Sequence, residues 1–272
     1  MTTSTRTPLP RVTRHTETLW LLLPQAMIQT ERLLRRWYRD PLTVMQALVF
    51  PGLLLVMLNS VLGKQVSAFA EADALYGSVP MVSLVSVMSG SLAGVVTLGR
   101  EREEGLLARF WVLPVHRASG LLSRVLAECA RITVCTLAIF AVGAVLGFRF
   151  TQGPLAALAL FAVPLIYGLG FATMVTALAV YTAKTTLVEV ISLGSSLLMF
   201  FSSGFVPVSA YPDWARPLVA HNPLTHAVDT MRGLALGGPV RGPLLATLAW
   251  SLGALVVFAV PAVVGYRRAS RY

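Results

Sequence analysis

"ALYGSVPMVSLVSVMSGSLAGVVTLG", residues 74–99, holds no Asp, Glu, Lys or Arg, and it runs straight into "REREEGLLARFWVLPVHR", residues 100–117, where seven positions are Arg or Glu. An ionised side chain at the centre of a bilayer costs about 2.5–3.5 kcal/mol. About 20 apolar residues cross its roughly 30 Å of hydrocarbon as a helix. Arg100 therefore reads as the point where the chain leaves lipid. Working outward, five more runs lack all four charged residue types: 41–63, 132–148, 150–183, 190–212 and 242–266. The run at 132–148 is short, so its helix is expected to begin earlier, with Glu128 and Arg131 at the interface or paired at i, i+3. Gln152, Gly153 and Pro154 read as a turn that starts a helix at about residue 155. Six spans follow, with both termini on one side.

Composition agrees with lipid as the solvent. The 272 residues are 56% hydrophobic and 12% charged, with a mean hydropathy of +0.71, whereas soluble domains carry roughly 25% charged residues. Orientation follows from the basic residues, which accumulate in short cytoplasmic loops. Sixteen of the 22 fall on one side: Arg6, Arg11, Arg14, Arg32, Arg35, Arg36 and Arg39, the five of 100–124, Lys184, and Arg267, Arg268 and Arg271. The other side holds five, and Arg131 belongs to a span end. The expectation is a multi-pass protein of a bacterial plasma membrane with cytoplasmic N- and C-termini. Topology accounts for the net charge of +10, and no zinc-ligand spacing or RNA-binding aromatic signature points to nucleic acid. Cys129 and Cys135, six residues apart in a span, read as packing residues rather than a disulfide or metal site.

Before the first span, residues Pro24 to Asp40 form an amphipathic pattern. Arg32, Arg35, Arg36 and Arg39 recur at i, i+3, i+4, i+7 beside Leu33, Leu34 and Trp37, as in a helix lying in the membrane surface against anionic lipid headgroups. The plainer alternative is a helical juxtamembrane topology tag. The preceding apolar "LWLLL" is too brief for a cleavable signal, and no small-residue cleavage pattern follows.

The insert at 100–117 offers poor catalytic chemistry: His116 is its only side chain titrating near neutrality, and no nucleophile precedes Ser119. Leu106, Leu107, Phe110, Trp111 and Leu113 would leave a large apolar surface exposed unless a partner or the membrane covered it, and Pro114 stops the helix. Charges at the entry, an apolar helix and a proline stop make a docking element.

"GREREEGLLARFWVLPVHRASGLLSR", residues 99–124, resembles the cytoplasmic coupling segment of ABC type 2 exporter permeases. The matching positions are Glu101, Arg102, Glu103, Gly105, Arg109, Phe110, Leu113, Pro114 and Arg117. The wording "WVLPVHRASGL" resembles the daunorubicin-resistance (Drr) branch, in particular its DrrC-like permeases of mycobacterial phthiocerol dimycocerosate exporters. "FFSSGFVPVSAYPDWARPLVAHNPLTHAVDTMRGLALGG", residues 200–238, resembles the family's external segment between the fifth and sixth spans. The resemblance implies an all-α integral membrane fold of six transmembrane helices with an N-terminal interfacial helix, a cytoplasmic coupling helix and an external re-entrant segment. It divides the chain into a cytoplasmic N-terminus (1–40), a membrane domain (41–266) with its coupling segment at 100–124 and external segment at 207–241, and a cytoplasmic tail (267–272).

That resemblance also implies partners. A phosphate-cradling G-x-x-x-x-G-K-[ST] loop is missing, since Leu58 stands where the first glycine before Gly63 and Lys64 would be, and Lys184 follows Ala183. The chain would bind no cofactor itself; ATP and Mg would serve a separate DrrA-like ABC ATPase that grips residues 100–117. A DrrB-like permease, or a second copy, would complete a path for a bulky hydrophobic lipid or an anthracycline-like drug. Gly90 and Gly94 have the small-xxx-small spacing of close helix packing, either with that second permease or within the chain. Family analogy nominates Ser83, Ser86, Met88, Ser196, Met199, Phe200 and Phe201 as path-lining residues, all equally explained by ordinary packing. Glu189 is an acid close to a span, with Lys184 an imperfect partner.

In the external segment, His221, His226 and Asp229 are loosely spaced like metal ligands, yet only two of them share a helical turn. The family reading is structural: Asn222 and Pro223 begin a helix, Asp229 and Arg232 pair, and His226 replaces an aromatic common among relatives. Two other functional classes remain open from the residues alone. An autonomous secondary transporter or channel would want mid-span ionisable residues and inverted repeats, and an integral-membrane lipid enzyme would want acidic or His clusters at the membrane face.

Overall fold

Charge-free runs become helices because a backbone in lipid must satisfy its own hydrogen bonds. The computed structural model describes residues 19–69, 74–103, 119–181 and 185–269. Their helices are α1 (Leu19–Arg39), α2 (Pro41–Val44), α3 (Phe50–Phe69), α4 (Leu75–Glu103), α5 (Ser119–Leu146), α6 (Pro154–Tyr181), α7 (Thr185–Phe200), α8 (Arg216–Ala220), α9 (Pro223–Leu236) and α10 (Arg241–Ala269). Among the described residues five stretches are long and apolar enough to cross a membrane: Pro41–Val61, Leu75–Glu101, Ser119–Leu146, Pro154–Ala179 and Arg241–Gly265. A shorter apolar helix covers Val188–Phe200. α1 starts at Leu19, ahead of the expected Pro24, and carries that proline inside the helix.

Asp40 separates α1 from the first span. Its carboxylate accepts from the Thr43 amide (3.3 Å) and hydroxyl (2.8 Å), with Pro41 at the first helical position. Those bonds hold the Asp40 carboxyl below the usual carboxylate range. Because the folded value is the depressed one, the cap's contribution is complete at neutral pH and disappears as pH falls through that lowered value. A π-helical turn, Met45–Val49, joins α2 to α3, and the Ser86 hydroxyl of α4 donates to the Ala47 carbonyl within it. Such a turn loosens the regular ladder, and Ser86 closes it from the neighbouring helix.

α4 is the central element, 61% buried over its apolar stretch, against 22% for the first span and 17% for α10. It packs on α3, α5, α6, α7 and α9. The closest helix pair is α6 with α10: a Cβ at Gly170 would stand 2.8 Å from the Ser251 carbonyl oxygen, and Tyr167 stacks on Trp250 at 5.0 Å. At the α5–α6 turn Gly147 (φ +113) lets the chain reverse, and Phe140, Phe148, Phe150 and Phe161 cluster around it.

The fifth charge-free run, 190–212, is not one helix. α7 ends at Phe200; its 16 residues reach about 24 Å at 1.5 Å per residue, short of the roughly 30 Å of hydrocarbon. The chain then turns back through a short 3-10 turn (Val208–Ala210) and α8 into α9, which lies buried against α4, α6 and α10. A helix can stop there only if its last carbonyls find donors. The Asn222 side-chain amide supplies two, to Leu198 O (2.7 Å) and Phe201 O (2.5 Å), while its oxygen caps α9 by accepting from the Leu224 amide (2.9 Å). The Tyr211 hydroxyl lies 3.0 Å from both the Phe200 and Ser202 carbonyls, and Arg232 Nη2 donates to Ser203 O (2.8 Å). Composition alone concealed this break because Ser202, Ser203 and Gly204 are uncharged.

Asn222→Ala should therefore cost on the order of 2–4 kcal/mol, combining a lost cap with stranded carbonyls. Thermal unfolding in detergent would measure it. Asn222→Asp keeps the acceptor for Leu224 but lacks the amide donor, so it should recover only the smaller, capping share.

Candidate functional site

The arginine-rich end of the bundle is organised around one carboxylate. Glu101, in the last turn of α4, is 1% exposed. Arg124 of α5 donates to its Oε2. Arg32 Nη2 and Arg36 Nη1 of α1 each stand 3.6 Å from its Oε1, near enough for ion pairing and too long for good hydrogen bonds. Helical spacing explains why one acid meets two arginines of α1: positions i and i+4 share a face.

α1 is thereby fastened to the bundle. Gln29 Nε2 donates to Ser119 Oγ (3.2 Å), Ser123 Oγ returns to Gln29 Oε1 (3.4 Å), and Thr30 Oγ1 reaches the Ser123 carbonyl (3.2 Å). Of the remaining arginines in the stripe, Arg35 pairs with Glu31 at 2.6 Å, both largely exposed, and Arg39 has no ion pair among the described residues. Glu101, Arg32, Arg36 and Arg124 thus tie three helices together at the two ends of residues 104–118. Gln29 and Thr30 carry no distinguishing sequence signal, being ordinary polar residues midway along α1, and Arg124 reads in sequence only as one of the basic residues of 100–124; the crossing of α1 over α5 gives each its partner.

Deeper in the bundle, Glu128 and Arg131 of α5 pair with one another at i, i+3, and Ser91 of α4 donates to Glu128 Oε1 (2.5 Å). The guanidinium occupies the space left by two glycines of α4. A Cβ at Gly94 would come within 2.9 Å of Arg131 Nη2, and one at Gly90 within 3.4 Å of Nε. The small-xxx-small spacing is occupied from within the chain. It houses an arginine side chain.

Of the residues singled out in sequence, Arg102 and Glu103 end α4, while Gly105, Arg109, Phe110, Leu113, Pro114 and Arg117 lie outside the described residues, as does Lys184. The nominated path residues are not brought into one wall. Ser83, Ser86 and Met88 are buried inside the chain, Ser86 engaged with Ala47 and Met88 receiving the Tyr167 hydroxyl at 3.8 Å. Ser196 and Phe200 face outward from α7, with Met199 and Phe201 partly covered, and Glu189 is exposed on the same helix. In the external segment Asp229 accepts from Ser203 Oγ (2.7 Å) and faces Arg232 at 3.4 Å, and His221 Nδ1 lies 2.8 Å from the Pro217 carbonyl. His226 is half-buried in α9.

The sequence comparisons cover the region that holds most of α1, the apolar spans before α10 and the buried helix α9. Residues 24–236 match the ABC-2 type transporter family. The chain belongs to that family. This ABC-2 permease is 48% identical over 252 residues to a probable doxorubicin resistance ABC transporter permease protein, DrrC, of Mycobacterium tuberculosis, covering 93% of this chain and 91% of the relative. It is 26% identical over 226 residues to the daunorubicin resistance ABC transporter permease protein DrrB1 of Streptomyces coeruleorubidus, covering 80% and 77%. The permease is accordingly a multi-pass membrane protein of the drug-resistance transporter group, and the matched region takes in the Glu101 cluster, the Glu128–Arg131 pair and the Asn222 junction.

Proposed function

We propose that this permease is the membrane subunit of an ATP-driven exporter whose energy comes from a separate DrrA-like ATPase using ATP and Mg. The observation that carries the reading is the Glu101 cluster. It clamps α1, α4 and α5 where they enter and leave residues 104–118, the stretch whose sequence resembles a coupling segment. A pull on that stretch would be delivered to three helices at once, and interfaces built this way switch between discrete arrangements. The arginine-rich end, with both termini, is the cytoplasmic one, in keeping with the distribution of basic residues.

The cargo we infer is a bulky hydrophobic compound, either a phthiocerol dimycocerosate-type lipid or an anthracycline-like drug. The names of the relatives, which concern doxorubicin and daunorubicin resistance, support that class. A second permease, DrrB-like or another copy of this chain, would face the lightly buried first span and α7, where Leu53, Met57, Leu193, Leu197 and Phe200 are exposed. Ser196, Met199, Phe201 and Glu189 would then lie towards the path between the two, whereas Ser83, Ser86 and Met88 would act from behind it.

Docking is tested by co-purifying the ATPase with tagged permease. Arg109→Glu with Phe110→Asp should abolish recovery while leaving the amount of permease in membranes unchanged, because both changes leave Glu101, Arg32, Arg36 and Arg124 themselves unaltered. Undiminished recovery of the ATPase by that variant would overturn the assignment of residues 104–118 as the gripped element.

A further inference from the structure

Between α1 and a wall made by α4, α5, α6 and α10 lies a cavity of about 420 Å³, within the roughly 300–1,000 Å³ of small-molecule sites. Its deep wall is apolar, formed by Leu169, Ala172, Leu255, Ala259, Ala262 and Val263, and the Glu128–Arg131–Ser91 cluster closes one part of it. Its rim carries Arg36, Asp40, Arg100 and Arg124. A second, open groove of about 880 Å³ adjoins it, sharing Arg36, Asp40 and Arg100 and adding Arg32, Arg35, Arg39 and Glu31.

The charges there do not balance. Glu31 engages Arg35, and Glu101 engages Arg32, Arg36 and Arg124. Arg39 and Arg100 form no ion pair among the described residues and are both exposed. Trp37 lines the cavity, and its buried indole N–H has no acceptor. A tryptophan donor normally finds a partner when buried. The site thus offers positive charge and an unused N–H at the rim, and a dry apolar slot behind it.

We propose that this cavity binds one anionic membrane phospholipid, its phosphate at the Arg100 rim where the cavity opens into the groove that carries Arg39, and an acyl chain past Trp37 along the α6–α10 wall. The apolar slot argues against a free anion, and a rim whose arginines outnumber its carboxylates, Asp40 beside Arg100 included, argues against a zwitterionic lipid. Such a lipid would bridge α1 to the α6–α10 wall in addition to the contacts α1 makes with α4 and α5. The site lies inside one chain and is independent of any path between two permeases.

The test uses the full-length permease, stripped of lipid in detergent and offered phosphatidylglycerol or phosphatidylcholine, with adducts counted by native mass spectrometry. A one-to-one phosphatidylglycerol adduct is expected, preferred about thirty-fold, the effect of two surface arginines on an anionic lipid. Arg39→Gln with Arg100→Gln should collapse that preference to a few-fold at most. Ala172→Leu with Ala259→Leu should abolish the adduct by filling the slot. Phosphatidylglycerol brominated along its chains gives a second reading without those fillers: it should quench wild-type fluorescence more than that of Trp37→Phe. Equal retention of phosphatidylcholine, an adduct that survives the fillers, or equal quenching of both proteins would overturn the proposal. Displacement by inorganic phosphate alone would also overturn it, reducing the site to one for a free anion.

Discussion

Glu101→Gln should loosen α1 from the bundle and make its arginines accessible to trypsin. The substitution keeps the shape of the side chain and removes a buried negative charge that Arg32, Arg36 and Arg124 share. Breaking a buried ion pair from one side costs about 3–5 kcal/mol, mostly through the charge left behind. Here the Arg32 and Arg36 side chains are 41% and 39% exposed, so water takes over part of their solvation and the expected loss is nearer 2–3 kcal/mol. Arg124, at 20%, bears most of it. The measurements are the thermal midpoint of purified permease and the rate of tryptic cleavage within residues 32–39. If cleavage stays as slow as in the wild type, Glu101 does not hold α1. If Proposed function is right, ATPase activity should also lose its stimulation by cargo, because the frame around residues 104–118 would no longer move as one piece.

Glu128→Ala should be still more damaging. Arg131 is 11% exposed and Glu128 13%, and no further charged residue follows Arg131 on α5, so little water can replace the partner of the surviving guanidinium. A loss of about 3–5 kcal/mol is expected. Removing both charges is a different experiment: Glu128→Leu with Arg131→Met fills the same space without a stranded charge, and apolar replacement of whole buried pairs is commonly neutral or stabilising. The double variant should therefore unfold later than Glu128→Ala. Should the two unfold together, the damage comes from lost shape at Gly90 and Gly94 and not from charge.

The spans themselves were legible because charge-free length is a one-dimensional property. Gly153 and Arg241 mark real helix boundaries, α4 runs on past Arg100 to Glu103, and the helix containing Glu128 and Arg131 does begin earlier than its charge-free run, at Ser119. The run at 190–212 misled for the same reason. Hydropathy counts charges, and the break after Phe200 is made by backbone carbonyls finding the Asn222 amide 21 and 24 residues away. The arginine stripe of α1 was readable as a face, since 3.6-residue spacing is local. That two of its members would meet Glu101 was not.

What the sequence determined alone is the solvent, the helices and the family, because the cost of charge and unpaired backbone in lipid acts on each segment separately and leaves a pattern along the chain. What only the tertiary structure decided is which polar groups share a partner. Glu101 with three arginines, Arg131 in the space left by two glycines and Asn222 between two helix ends are each fixed by the crossing of helices distant in sequence, and electrostatic and hydrogen-bond energies depend on distances that no local pattern encodes.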